Sequence, residues 1–397
     1  MSILSALRPE TPRAPVELTV DGTVLDGFER GSLTLTMVEG ANSFELEYAP
    51  VGSGTEVFGG RGVFDTLSTR PVFAGDACTL SLDAGSGYEK LLDGFVDTTE
   101  EDDAADALRL RAAGRSKTCD LVDCSLVGPR KWADSTLARI VADICKPFGI
   151  DSHVLDGAVV QSNIGGKRVT GGAIDDPLSQ GQYVPKPMTF AARGDETALD
   201  AITRAAMTQG LFVYCAGGDL VLARAGTTRT QTVLERGVNI VSSRRADSQF
   251  SRFSDYMFHA QAKKGAEESG SGFQNVQASV RDAAVSRYRP LRVHVEAHDR
   301  VSAKTRATLD RNVRAGQSES ISVTVDGWAM DRGVAWRPNT LVRFKNPVLG
   351  VDATMLVVTA RFRFGANEPK ETELQLARPE AFDLVDYPAL GRGEEWT

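Results

Sequence analysis

Two short stretches decide the fold class: Gly31-Ser32-Leu33-Thr34-Leu35-Thr36-Met37 and Ser43-Phe44-Glu45-Leu46-Glu47-Tyr48. In the first, Leu33, Leu35 and Met37 alternate with Thr34 and Thr36; in the second, Phe44, Leu46 and Tyr48 alternate with Glu45 and Glu47. Successive side chains of a strand point to opposite faces, so this period of two gives each run one apolar and one polar face. Working outward, Leu108, Leu110 and Ala112 alternate with Arg109 and Arg111, and the turns are rich in Gly and Asp. Residues 16–115 therefore predict an antiparallel barrel or sandwich. The pattern returns late in the chain. Ile321, Val323 and Val325 alternate with Ser322, Thr324 and Asp326, and Leu356, Val358, Ala360, Phe362 and Phe364 are expected to line one face beside Leu374 and Leu376. Each β region closes on a long strand pair, near 91–113 and near 353–378, which is compatible with two copies of one barrel design.

Between the β regions the period changes. Leu137, Ile140, Val141, Ile144 and Cys145 form one stripe at helical spacing, with Asp134 or Ser135 as caps and Pro147 as a stop. A second helix is predicted over 196–209, capped by Asp195, ended by Gly210, and burying Leu199, Ile202 and Ala206. Leu211–Cys215 and Asp219–Arg224 read as a hairpin around Gly217-Gly218. The Gly-, Asp- and Pro-rich run 156–187 is long for a connection, and Lys263–Asn275 reads as a flexible surface loop. A further helix is expected near 300–315, packed on the second β region close to a subunit boundary.

A chain of 397 residues with 42% apolar content supports several real cores. Its 53 acidic and 45 basic residues argue against nucleic acid as the main partner. Charge is unevenly spread: residues 281–314 hold nine basic and four acidic groups, and residues 97–106 hold six acidic groups and no basic one. The solvated-surface reading of these patches stands beside one of subunit docking through complementary charge. The five cysteines fit neither a redox pair nor a zinc pattern, as expected of reduced thiols. No run of 18 apolar residues suggests a membrane span, and the first ten residues do not read as a secretory signal.

Catalytic patterns are weak. There is no GxSxG elbow, and Gly165-Gly166-Lys167 lacks P-loop spacing. His294, Glu296 and His298 would share one face of a strand and could bind zinc or iron, but a polar outer face of the strand is the simpler reading. Asp102-Asp103 and Asp175-Asp176 sit in acidic loops, where neither carboxyl would be desolvated as glycosidase chemistry needs.

Three stretches resemble the Mu-type phage baseplate hub family, the gpP-like tail proteins related to VgrG-like and T-even hubs. One is the run Ala113-Gly114-Arg115-Ser116 through Asp120-Leu121-Val122-Asp123-Cys124-Ser125. The second is Gly194-Asp195-Glu196-Thr197 through Asp200 and Arg204. The third runs from Tyr288-Arg289-Pro290 through Gly327-Trp328, Trp336 and Pro338-Asn339 to Pro379-Glu380-Ala381-Phe382. The residues of these motifs read as structural, with Trp328 and Trp336 buried, Gly327 allowing close approach or a bulge, and Pro338-Asn339 turning. The fold class expected is mainly β with an α/β middle region: two tail-tube-like barrels at 1–116 and 241–397 around an α/β region at 117–240.

The resemblance implies a structural hub rather than an enzyme, with no cofactor. It implies a homotrimeric ring that adapts a six-fold tail tube to a three-fold spike and carries an acidic-lined channel. The partners implied are the tail tube protein, the central spike protein, other baseplate proteins and the tape measure protein, with DNA as a transient passenger and no membrane binding. The location implied is the tail baseplate of a virion made in the host cytoplasm. The rival readings are a tail-borne cell-wall hydrolase and a glycan-binding adhesin.

Overall fold

The computed structural model describes residues 15–25, 28–48, 72–104, 107–128, 131–154, 161–164, 167–170, 187–207, 209–226, 228–263, 273–294, 300–365 and 369–382. The first β region contains β1 (Val16–Val20), β2 (Thr23–Leu25), β3 (Arg30–Thr36), β4 (Ser43–Tyr48), β5 (Ala77–Asp83), β6 (Tyr88–Ala104) and β7 (Ala107–Ser116). The middle region contains α1 (Cys119–Asp123), β8 (Lys131–Ser135), α2 (Leu137–Cys145), β9 (Ser152–Val154), β10 (Gln161–Ile164), β11 (Lys167–Thr170), β12 (Met188–Ala191), α3 (Ala198–Met207), β13 (Phe212–Ala216) and β14 (Asp219–Ala223). The last part contains β15 (Thr228–Glu235), β16 (Ile240–Asp247), β17 (Asp255–Lys263), β18 (Phe273–Arg281), β19 (Pro290–His294), α4 (Arg300–Gln317), β20 (Glu319–Asp326), β21 (Thr340–Asn346), β22 (Val351–Gly365) and β23 (Glu371–Ala377).

The two β regions are joined edge to edge. One 13-stranded sheet runs β16-β20-β23-β22-β3-β4-β7-β6-β5-β1-β2, with β21 and β15 branching from β22. The join is the antiparallel pair β22–β3, in which Ala360 lies opposite Leu35 and Phe362 opposite Leu33. The alternating residues expected to be apolar, Leu33, Leu35, Phe44, Leu46, Ile321, Val323 and Val325, are all buried in one cluster that draws on both regions. β15 belongs by its pairing to the last β region, running parallel to β21.

β22 corrects one reading. A bulge between Val357 and Thr359 shifts its register. An extra residue reverses the faces of everything beyond it. Met355 and Val357 therefore share the main core with Ala360, Phe362 and Phe364. Leu356 and Val358 turn the other way and pack with Met37, Tyr214, Val221 and Ala223, fastening the sheet to the middle region.

The middle region has its own core. The stripe of α2 is buried as expected, together with Ala198, Ala201, Ile202, Ala205 and Ala206 of α3, while Leu199 is only partly buried. Both caps differ from expectation. Thr136 caps α2 through a bond from Arg139 N–H at 3.4 Å, because β8 holds Asp134 and Ser135 in the preceding strand. Thr197 accepts from Asp200 N–H at 3.1 Å at the start of α3, while Asp195 lies in the turn before it. Gly210 takes φ +70 after α3, the left-handed backbone that stops a helix. The hairpin β13–β14 forms as expected, with β9 added in parallel beside β14.

β17, β18 and β19 form a separate three-stranded sheet covered by α4. Its small core is Tyr256, Phe258, Val280 and Ala307. α4 also meets the short helical turn Pro379–Phe382. A side-chain carbon on Gly316 would lie 2.4 Å from Ala381 backbone, so only glycine permits that approach. Most of the connection 156–187 and of the loop Lys263–Asn275 lies outside the described residues.

Candidate functional site

The alternation that buries one face of the sheet leaves the other polar across eight consecutive strands, β16-β20-β23-β22-β3-β4-β7-β6. Cross-strand registers give its rows. Asp326, Glu371, Arg363, Ser32, Glu45, Ala113 and Thr98 lie side by side, and so do Thr324, Glu373, Arg361, Thr34, Ser43 and Arg115. Short Ser and Thr side chains keep the face low, and its charges are matched between strands. Arg363 bonds Glu373 at 2.8 Å, and Arg30 bonds Glu47 at 2.8 Å with Arg111 3.5 Å from the same carboxylate. The Arg30 hydrogen bond, more than the Coulomb attraction of Arg111, holds the Glu47 carboxyl below its ordinary range. Such a face is smooth and wettable, and it carries both carboxylates and arginines in each row.

Under this face the first family-like motif forms a joint. Gly114 lies where a side-chain carbon would stand 2.1 Å from Phe95 O and 2.7 Å from the Phe44 ring. On the facing strand Gly94, which pairs with Ser116, would meet Arg115 O at 1.9 Å. Arg115 bonds Asp97 at 2.7 Å and Asp123 at 2.8 Å, tying the end of β7 to α1. Ser116 is fully buried; its Oγ accepts from Asn42 N–H at 2.9 Å and lies 2.9 Å from Thr118 Oγ1. Asn42 in turn accepts from Thr36 N–H at 3.0 Å and donates to Cys215 O at 3.4 Å. A buried, bonded chain thus links β3, β7 and β13.

In the second motif, Glu196 accepts from Arg204 Nη2 at 2.7 Å and from Arg193 N–H at 2.5 Å. Burial raises its pKa, but these bonds outweigh burial and hold the carboxyl below its ordinary range. Arg204 also stacks over Phe190 at 4.5 Å, so α3 is locked onto β12. Asp195 is exposed and takes no part.

The third motif is spread over several elements. Trp328 and Trp336 are 2% and 1% exposed, and Trp328 Nε1 donates to Arg363 O at 3.0 Å. Gly327 has open space beside it, so its role is its backbone at φ +79 and not close approach. Asn339, after Pro338 and also left-handed at φ +60, accepts from Gly226 N–H at 2.6 Å and donates to Arg224 O at 3.0 Å. Arg289 donates to Phe250 O at 2.8 Å and lies over Phe253, and Pro290 opens β19. Tyr288 is 83% exposed, beside Phe250 at 84%. These motif residues therefore mostly brace turns and joints, and they do not converge on one pocket.

For the metal reading, His294 ends β19 opposite His259, while Glu296 and His298 lie outside the described residues. Among the described residues no group of three His, Cys, Asp or Glu side chains could hold a metal ion. The five cysteines are unpaired, and burial pushes Cys78 and Cys145 up to about 12 and Cys119 up to about 11. No described helix is long and apolar enough to cross a membrane. Sequence reading missed Asn42 and Glu89. Glu89 is buried, bonded to Arg337, and accepts from Ala335 N–H at 3.3 Å, so it clasps the two β regions. Only partners distant in sequence give either residue its role, so no local pattern marks them.

Residues 299–385 match the fourth domain of the Mu phage baseplate assembly protein GpP, and residues 118–163 match the second domain of baseplate hub proteins like gp44. The baseplate hub protein gp44 of Escherichia phage Mu is 26% identical over 377 residues, covering 92% of this chain and 88% of that protein. The chain is related to the Mu-type baseplate hub proteins. The 43 kDa tail protein of prophage MuSo2 from Shewanella oneidensis superposes with a TM-score of 0.72 at 25% identity, covering 93% of this chain and 99% of that one. A tail protein from Neisseria meningitidis MC58 shares the fold, with a TM-score of 0.70 at 19% identity over 92% and 98% of the two chains. The likeness to these two tail proteins spans nearly the whole of each chain.

Proposed function

We propose that the chain is a structural hub of a Mu-like phage tail baseplate, housed in the virion, whose work is assembly geometry and not bond breaking. The observation that carries this reading is the single sheet built from both β regions, with one face buried and the other polar and charge-matched. Two tube-like units in each chain, divided near residues 116 and 240 with β15 joining the second, would let three chains present six such units. A ring of that kind adapts a six-fold tail tube to a three-fold spike, with the polar face toward the central channel. In this reading the lining is polar and slightly acidic, with Asp326, Glu371, Glu45 and Glu373 against Arg363, Arg361 and Arg115 in the two rows. Such a surface lets DNA pass without binding it, because few net positive charges are offered to phosphates. Tube, spike, other baseplate proteins and tape measure protein are the partners of this reading.

The test is the mass of the full chain by light scattering, alone and then with tube and spike proteins. Three times 42.7 kDa with a central hole in negative stain is expected. A chain that stays monomeric with both partners present overturns the hub. Clearing of peptidoglycan in a zymogram would favour the hydrolase.

A further inference from the structure

Among the described residues, Phe250 and Tyr288 are the most exposed aromatic side chains, at 84% and 83%. They stand in the β16–β17 and β18–β19 connections, and these two connections are bonded to each other. Arg289 N–H donates to Ser254 Oγ at 2.9 Å, Ser254 N–H donates to Arg289 O at 2.8 Å, and the Arg289 side chain holds Phe250 O. Helix α4 braces the same turn, since Arg314 donates to Ser251 O at 3.2 Å. Arg289 and Arg314 also both lie 5.3 Å from the centre of the Phe253 ring. Two apolar rings are thus presented to solvent on backbone that three connected elements hold in place. A contact made on such a surface costs little ordering.

The charge around the rings is positive. Arg252 and Arg314 are matched by Asp282 and Asp310. Arg287 is exposed next to Tyr288, and among the described residues no carboxylate forms an ion pair with Arg287 or Arg289. Aromatic rings beside arginine are the side chains that contribute most at binding surfaces. The occupant such a patch fits is an acidic segment with an aromatic residue of its own.

The sequence holds one close by. After the short turn Pro379–Phe382 come residues 383–397, with Asp383, Asp386, Glu394 and Glu395 against the single Arg392, and with Tyr387 and Trp396. Their starting point is fixed: Phe382 packs on Phe212 with ring centres 5.5 Å apart, and Ala381 lies against Gly316 of α4. Arg314, which reaches the patch, is two positions before Gly316. Positions two apart project from nearly opposite sides of a helix, so the width of α4, roughly 10–12 Å, separates this starting point from the patch. An extended chain advances roughly 3.3–3.6 Å per residue, so Glu394-Glu395-Trp396 has ample length to pass round the helix end.

We propose that the C-terminal segment 383–397 docks on this patch of its own chain, with Trp396 against Phe250 and the Glu394 and Glu395 carboxylates toward Arg287 and Arg289. Tryptophan is the ring that cations favour most, so Trp396 gains from Arg287 as well as from Phe250. The tether supplies an effective concentration on the order of mM, so even a weak contact is occupied. The segment thereby shields an adhesive surface in the free chain. This contact goes beyond the hub reading and does not depend on a ring.

The test compares the full wild-type chain with a tail variant, Glu394→Lys/Glu395→Lys/Trp396→Ala. By hydrogen exchange, amides 249–253 and 286–289 are expected to be better protected in the wild type, with the difference shrinking at high salt. The synthetic peptide Leu384–Thr397 is then titrated into both by calorimetry. It is expected to bind the tail variant one to one and the wild type about ten-fold more weakly, because the tethered segment competes. Phe250→Ala or Arg287→Glu, added to the tail variant, is expected to weaken the peptide by about ten-fold, with circular dichroism unchanged. Equal protection in wild type and tail variant, or peptide binding that Phe250→Ala leaves unchanged, overturns the proposal. Protection that is lost on dilution, with a mass above 42.7 kDa before it, gives the patch to the segment of a second copy and overturns docking within one chain. None of these outcomes bears on the hub reading, which the mass with tube and spike proteins tests separately.

Discussion

Trp328, Trp336 and Tyr288 belong to one family-like motif but stand in opposite surroundings. The tryptophans pack in the main core, and Trp328 meets Phe364 edge-on with ring centres 6.1 Å apart. Trp336→Ala or Trp328→Ala is expected to lower stability by about 3–5 kcal/mol, as for other buried aromatics. Tyr288→Ala, at 83% exposure, is expected to stay within about 0.5 kcal/mol of the wild type. Denaturant midpoints of the three variants measure the difference. Gly114→Ala is the sharper backbone test, since its new carbon would collide with Phe95 O, a backbone atom of the paired strand β6 that cannot yield alone. Loss of soluble folded protein is expected, against normal yield for Gly237→Ala, where the space is open and only a left-handed turn is strained. Buried tryptophans in a strand pattern were legible from sequence. The exposure of Tyr288 was not, because it lies in a connection whose direction is set by Arg289 holding Phe250 O.

At the scale of elements, period gave most strands and the helices α2 and α3 but not the short α1, whereas endings and faces depended on single residues. The caps illustrate this. Thr136 and Thr197 lie nearer the helices than Asp134, Ser135 and Asp195, and only the backbone path decides which side chain reaches a free N–H. Thr197→Ala is expected to cost about 1 kcal/mol and Asp195→Ala close to nothing, measured by thermal unfolding. The bulge in β22 was equally invisible, because an added residue leaves a run that still looks apolar while reversing the faces of Leu356 and Val358. Glu196 gives α3 a pH signature. Its carboxyl is held below the ordinary value in the folded state, so its contribution is present above the unfolded pKa of about 4.3 and is lost as pH falls through the lower folded value. Glu196→Gln is expected to be less stable at pH 7 and to lose less stability than wild type between pH 5 and 3. Parallel acid limbs for the two proteins would show that the Arg204 pair does not carry this dependence.

At the scale of the whole molecule, the decisive pairing joins residues some 320 positions apart, Thr36 with Thr359 and Leu35 with Ala360. Alternation states which residues face a core, and it is silent on which strands become neighbours. Two β regions were legible, and their fusion into one sheet was not. That fusion has an energetic consequence. Leu33 and Leu35 of the first region bury their side chains in the same cluster as Phe362 and Phe364 of the last, so neither region can expose its core without opening the other. The Glu89–Arg337 clasp adds a buried charge pair across the same boundary, and leaving either partner alone there would be costly. The two β regions are therefore expected to unfold as one cooperative unit. Cys78 is buried in the first region and Trp328 and Trp336 in the last. In a variant that keeps Cys78 as its sole cysteine and carries Trp132→Phe and Trp396→Phe, thiol labelling and tryptophan fluorescence across a denaturant series are expected to share one midpoint. Truncating the seam with Phe362→Ala should lower both by the same amount. Two separated midpoints would mean that each region holds its own core and that the seam is a contact between finished domains.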